Sequence, residues 1–187
     1  MPRPVPDAVL LGLIKAHSSH GYDLLERFRA HQHLGRMWHL STSQLYSVLK
    51  RLEEMGAIQG VDVAVADAPP RREFTILPAG EAQLEKWLSE ENPSASLHQI
   101  RVVFMSRLYI ARLLNQPVEN IFQKQIGVCE TQRQEFVAEQ MKTEAPIEHL
   151  ALDLVINQLS AVIKWLEKNQ KALSEIDQIS EKGIENE

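Results

Sequence analysis

Apolar residues at Val9, Leu10, Leu13 and Ile14 recur at helical spacing and predict a first helix over roughly 6–16. The SSHG stretch is a break. Tyr22, Leu25 and Phe28 then predict a second helix over roughly 21–32, and the apolar piece Met37–Leu40 predicts a short strand. The segment STSQLYSVLKRLEEMGAI, Ser41 to Ile58, reads as a capped helix. Ser41 is its N-cap, Gln44 stands three residues on at the capping-box position, and Gly56 supplies a left-handed stop. Leu45, Val48, Leu49 and Leu52 share one side of this helix. Ser43, Tyr46, Ser47 and Lys50 share another.

Period-two, β-branched character returns in VDVAV (61–65) and EFTIL (73–77), which predicts a β-hairpin. Between them ADAPPRR carries Pro69 and Pro70, so it is expected as a loop with Arg71 and Arg72 at its tip. Pro78 suits the first turn of another helix, whose apolar side is Leu84, Trp87 and Leu88. The phrase ENPSAS (91–96) interrupts two helical patterns and sets the expected domain boundary, 1–91 and 92–187. Three long helices are expected beyond it, over roughly 97–115, 118–143 and 146–178, with Pro117 and Pro146 at the breaks. In the last, Leu152, Leu159, Leu166 and Leu173 are seven apart. Val155, Val162, Asn169 and Ile176 follow each by three, as in a heptad seam, and Ile156 and Ile163 widen the stripe. So broad a stripe predicts a bundle, part of it supplied by a second chain. The expected fold class is mainly α: a winged helix-turn-helix followed by an all-helical domain.

Composition narrows the function. The chain has 187 residues, 44% hydrophobic and 24% charged, enough for a sizeable core. No apolar run approaches the roughly 20 residues that span a bilayer. The N-terminus lacks the pattern of an export signal, so a cytoplasmic protein without a membrane partner is expected. With one cysteine, Cys129, no intrachain disulfide forms. The net charge is −5, against indiscriminate nucleic-acid binding. Residues 1–90 hold ten Lys/Arg and eleven Asp/Glu, while residues 91–187 hold ten and fourteen, so a DNA-binding surface would have to be local. No phosphate-cradling glycine loop, nucleophile elbow or His-Asp-Ser set stands out, so neither an enzyme nor a cofactor is expected. The pairs His17/His20 and His31/His33 lack nearby cysteines or well-spaced carboxylates and are read as non-metal, and Cys129 has no activating neighbour.

Helix, helix, capped helix and hairpin is the order of a winged helix-turn-helix, whose third helix enters the major groove of double-stranded DNA. The candidate DNA-binding residues are Thr42, Ser43, Gln44, Tyr46, Ser47, Lys50 and Arg51 on the helix, with Arg71 and Arg72 on the wing. Candidate dimerisation residues are Leu152, Val155, Leu159, Val162, Leu166 and Leu173.

The stretches LLGLI (10–14), HGYDLLERF (20–28), STSQLYSVLKRLEEMGAI (41–58) and RREFTILPAGEAQLEKWL (71–88) resemble the PadR family of bacterial transcriptional regulators. Shared are the Gly-Tyr opening of helix two, the Leu-Tyr and Leu-Lys-Arg-Leu-Glu of the third helix, and the arginine, aromatic and Leu of the wing's end. Ser47 stands where the family usually has proline, and Ser43 where a glycine or similar small residue is common. The resemblance implies a homodimeric repressor on a pseudo-palindromic operator, released by a small molecule or other signal. It also implies a candidate effector pocket at the dimer interface, near Trp165. Two alternatives stay open: a winged-helix interaction module without DNA binding, and a protein whose main activity is ligand sensing.

Overall fold

The structure is a computed structural model that describes residues 6–17, 19–30, 34–65 and 68–184. It divides into two compact units, Met1–Glu90 with His98–Pro117, and Glu91–Leu97 with Val118–Glu187.

The first unit begins with α1 (Asp7–Ala16), β1 (Ser19–His20) and α2 (Gly21–Arg29). After Ala30 turns extended, the chain reaches Leu34, buried in the core. Met37–Leu40 is a turn and coil, not the expected strand. The N–H groups of Met37 and Trp38 both donate to the Leu34 carbonyl (2.9 Å each), so neither is free for a ladder. Trp38 instead packs edge-on against Phe28, and its indole N–H donates to Ser106 Oγ at 2.7 Å. The second helix also ends earlier than expected, at Arg29; the His31/His33 pair lies outside the described residues.

Next come α3 (Thr42–Glu54), β2 (Ile58–Val65), β3 (Ala68–Ile76) and α4 (Pro78–Leu88). The sheet has three strands in the order β1-β3-β2, all antiparallel. The expected proline loop is a correction: Pro69 to Arg72 belong to β3. The prolines are tolerated because the register shifts between Val63 and Val65, with Val63 opposite Arg71 and Val65 opposite Ala68. At that irregularity two residues of β3 face one of β2. β1 reaches only Phe74 and Glu73, so the missing N–H groups interrupt no second ladder. Arg71 and Arg72 therefore sit within the strand, opposite Val63 and Asp62, not at a tip.

Residues Leu97–Gln99 (α5), a π-helical turn at Ile100–Phe104 and Met105–Leu113 (α6) form one helical run. Ser106 Oγ donates to Val102 O (2.6 Å) where this turn loosens the helix. Asn115, at φ 53, ends the run in the left-handed region. Val9, Leu10, Leu13, Leu24, Phe28, Leu45, Leu49, Leu52, Phe74, Leu84 and Ile110 share one core in this unit.

In the second unit, α7 (Glu119–Gln140) and α8 (Pro146–Ile184) pack as a helical hairpin. The non-helical 91–96 segment is tied to α7 by Lys124 Nζ to Glu91 (2.7 Å) and by Gln125 Nε2, which donates to Ser94 O (3.0 Å). Cys129 is buried, and burial pushes its thiol up, away from thiolate chemistry.

Gly80, in α4, lets that helix lie against the base of the wing. A methyl there would meet Ala57 O at 2.2 Å. Helix propensity alone favours Gly80→Ala. Overpacking against backbone wins, so the substitution is expected to destabilise the protein by about 1–3 kcal/mol in urea unfolding. A gain in stability would contradict this packing.

Candidate nucleic-acid interface

Ser41 starts α3 with the full capping box: Ser41 Oγ accepts from Gln44 N (3.2 Å) and Gln44 Oε1 accepts from Ser41 N (2.9 Å). Gly56, at φ 65, closes the helix end. Between them Leu45, Val48, Leu49 and Leu52 are buried, while Thr42, Ser43, Gln44, Tyr46, Ser47 and Lys50 are exposed. The outward stripe expected from spacing therefore exists as a surface.

Its members are not equally free. Gln44 spends its side-chain oxygen on the cap. Ser47 Oγ donates to Ser43 O (2.8 Å), which leaves its oxygen as an acceptor, and Thr42 Oγ1 receives a long contact from Arg29 (3.5 Å). Lys50 lies 3.7 Å from Glu54, both mostly in solvent, a pair of small worth. Arg51 is different. Its Nη2 reaches both oxygens of Asp7 at 2.8 Å, and its Nε reaches Oδ1 at 3.2 Å. Asp7 is buried at the first residue of α1, where a carboxylate also suits the helix dipole. The pair fastens the outer part of α3 to the start of α1.

On the wing, Arg72 Nη2 donates to Glu53 Oε1 (2.7 Å) and Nη1 lies 3.5 Å from Asp62. The same Glu53 oxygen accepts from Gly60 N at 3.0 Å. The hydrogen bond from Arg72 holds the Glu53 carboxyl below its usual range, helped by the Gly60 amide and opposed by desolvation. A methyl on Gly60 would sit 2.5 Å from Arg72 Nε, so the cradle needs a glycine. Arg71, one residue earlier, is exposed and makes no ion pair among the described residues. Sequence spacing did not signal Asp7 or Glu53 as anchors, because both pairings join residues distant in the chain or on different elements.

Of the dimerisation candidates, Leu152, Leu159 and Leu166 are buried in the hairpin of their own chain; Val155, Val162 and Leu173 are half-buried. The side chain of Ile176 lies outside the described residues. Trp165 is 42% exposed, and its carbonyl accepts from Asn169 Nδ2 at 2.7 Å. Ile147, Leu150 and Leu154, none of them expected from the heptad, are 79%, 63% and 58% exposed. No three His, Cys, Asp or Glu side chains converge among the described residues, and no described helix is long and apolar enough to cross a membrane.

Three helices, a reading helix with one polar face out and a three-stranded wing define a winged helix-turn-helix. Residues 10–86 match the model of the Transcriptional regulator PadR-like family. The negative transcriptional regulator PadR of Bacillus subtilis is 27% identical over 118 residues, which is 63% of this chain and 63% of that protein. A probable transcriptional regulator of Mycobacterium tuberculosis is 29% identical over 86 residues, 46% of this chain and 44% of that one. The match thus spans less than two thirds of the length of either relative. Among solved structures, Bacillus subtilis PadR in complex with operator DNA is 22% identical, with 90% of this chain and 99% of that one covered at a TM-score of 0.46. The same protein in complex with p-coumaric acid is 20% identical, with 93% and 99% covered at a TM-score of 0.42.

Arg51→Ala strands a buried carboxylate, whereas Arg71→Ala removes an exposed side chain. Urea unfolding is expected to show a loss of about 1–3 kcal/mol for the first and a change within about 0.5 kcal/mol for the second. Equal effects would mean that Arg51 does not anchor α3.

Proposed function

We propose that this protein is a cytoplasmic, homodimeric, sequence-specific DNA-binding regulator of the PadR-like class, acting as a repressor. The observation that carries the reading is α3 itself. A capped helix buries every leucine it has and turns Ser43, Ser47 and Lys50 outward beside a wing bearing the exposed Arg71. Short hydroxyls at successive turns suit hydrogen bonds to base edges, and the cations suit phosphates. Arg51 and Arg72 then serve as braces, holding helix and wing in register.

Dimerisation is the second element of the reading. Ile147, Leu150 and Leu154 form an exposed apolar stripe on α8 at helical spacing, and Trp165 stands three turns further on. A second copy of the chain covers such a stripe in this reading, and a two-fold pair of α3 helices meets half-sites about one DNA turn apart. The half-buried valines of the heptad seam flank this face. Release by a small molecule belongs to the same reading; its supports are the family and the exposed Trp165.

A winged-helix interaction module without DNA binding is the competing reading. The observation in its favour is that two of the four expected cations, Arg51 and Arg72, are already engaged within the chain. Titration against the DNA upstream of its own gene, at several salt concentrations, separates the two. The regulator binds that duplex more tightly than a scrambled one, and affinity falls steeply with salt as counterions are released. No preference over scrambled DNA would favour the interaction module. On the dimer, Leu154→Glu is expected to lower the mass in light scattering to that of a monomer while leaving helical circular dichroism intact. An unchanged dimer mass would remove this stripe from the interface.

A further inference from the structure

Beside α3 lies a cleft of about 630 Å³ lined by His20, Gly21, Tyr22, Asp23, Tyr46, Arg71 and Arg72. Three elements meet there: the start of α2, the middle of α3 and the inner part of the wing. Tyr46 is on the outward stripe by spacing, yet its side chain lies back over α2. A methyl on Gly21 would stand 2.8 Å from Tyr46 Oη and 3.0 Å from its ring. Gly21 is therefore the space into which the tyrosine folds, and Tyr46 lines the cleft instead of standing out along the stripe with Ser43, Ser47 and Lys50.

The charges of the cleft are uneven. Arg72 is held by Glu53 and Asp62, which leaves Arg71 as its unpaired cation among the described residues. Asp23 stands on the same wall and disfavours a multiply charged anion. His20 Nδ1 is buried without a hydrogen-bond partner, and the hydroxyls of Tyr22 and Tyr46 are available donors in a region with much exposed surface. One free cation, two phenol hydroxyls and an unsatisfied imidazole nitrogen match a singly charged, hydrogen-bond-accepting group.

We propose that this cleft seats one phosphodiester of the DNA backbone, with Tyr46 and Arg71 as its contacts and Gly21 as the residue that makes room for Tyr46. This rests on the DNA-binding reading and sharpens it. Tyr46 becomes a register-setting contact, and sequence discrimination falls to Ser43, Ser47 and Lys50. A backbone contact carries no sequence information, so its loss weakens every duplex alike.

The test measures binding of the full-length protein to its upstream duplex and to a scrambled duplex of equal length, at several salt concentrations. Tyr46→Phe and Arg71→Ala are each expected to weaken both duplexes about three- to tenfold, by the same factor. Arg71→Ala also lowers the salt slope by about one. Gly21→Ala, which suits a helical backbone, is expected to preserve the melting temperature and still cost affinity on both duplexes. Inorganic phosphate at constant ionic strength is expected not to compete. Affinity unchanged in Tyr46→Phe and Arg71→Ala, a loss confined to the upstream duplex, or competition by inorganic phosphate would each overturn the proposal. Failure of the wild-type protein to bind either duplex would overturn the DNA-binding reading and this proposal with it.

Discussion

Burial of one row of side chains, Leu45, Val48, Leu49 and Leu52, governs the first unit. Each such side chain stabilises the fold by about 1.5–3 kcal/mol when removed from water. Four of them at helical spacing leave α3 one rotational setting. The setting that hides the leucines also turns Ser43, Ser47 and Lys50 to the surface. The capping box and the left-handed Gly56 fix where the helix starts and stops, so its rotation and its length are both specified locally. Function in this reading is the by-product of a packing constraint: the core chooses which face is left to read.

Charged groups then refine what the core has set. Arg51 and Arg72 look alike from the sequence, basic residues on or near a recognition surface, yet each is fastened to a carboxylate. Asp7 holds the first from α1. Glu53 holds the second from the end of α3, and its shared oxygen also takes the Gly60 amide. Neighbouring Arg71 is exposed and makes no ion pair among the described residues. One ion-paired arginine beside one exposed arginine gives the wing a brace and, in the DNA-binding reading, a contact.

Much of this was legible in the chain. The leucine row, the Ser41–Gln44 box, the Gly56 stop and Pro78 at a helix start are local patterns, and each appears where the spacing puts it. What local pattern could not supply was partnership. Pro69 and Pro70 argue against a strand unless a register shift opposes two residues to one, and that depends on β2. The two-residue β1 exists only because β3 accepts it. Periodicity shows that Leu152, Leu159 and Leu166 are buried but not by what; α7 of the same chain shares that hairpin, while Ile147, Leu150 and Leu154 stay outside it. Tyr46 has the spacing of a reader, and only the absence of a side chain at Gly21 lets it fold back.

In the DNA-binding reading, the polar face of α3 and the inner wing meet DNA while the α7–α8 hairpin does not. Backbone amide shifts of isotope-labelled protein, followed by NMR as the upstream duplex is added, test it residue by residue. The account predicts changes concentrated at Thr42–Lys50, Gly21–Tyr22 and Arg71, with the amides of α7 largely unmoved. Shifts clustered on α7 and α8 with α3 unchanged would contradict it.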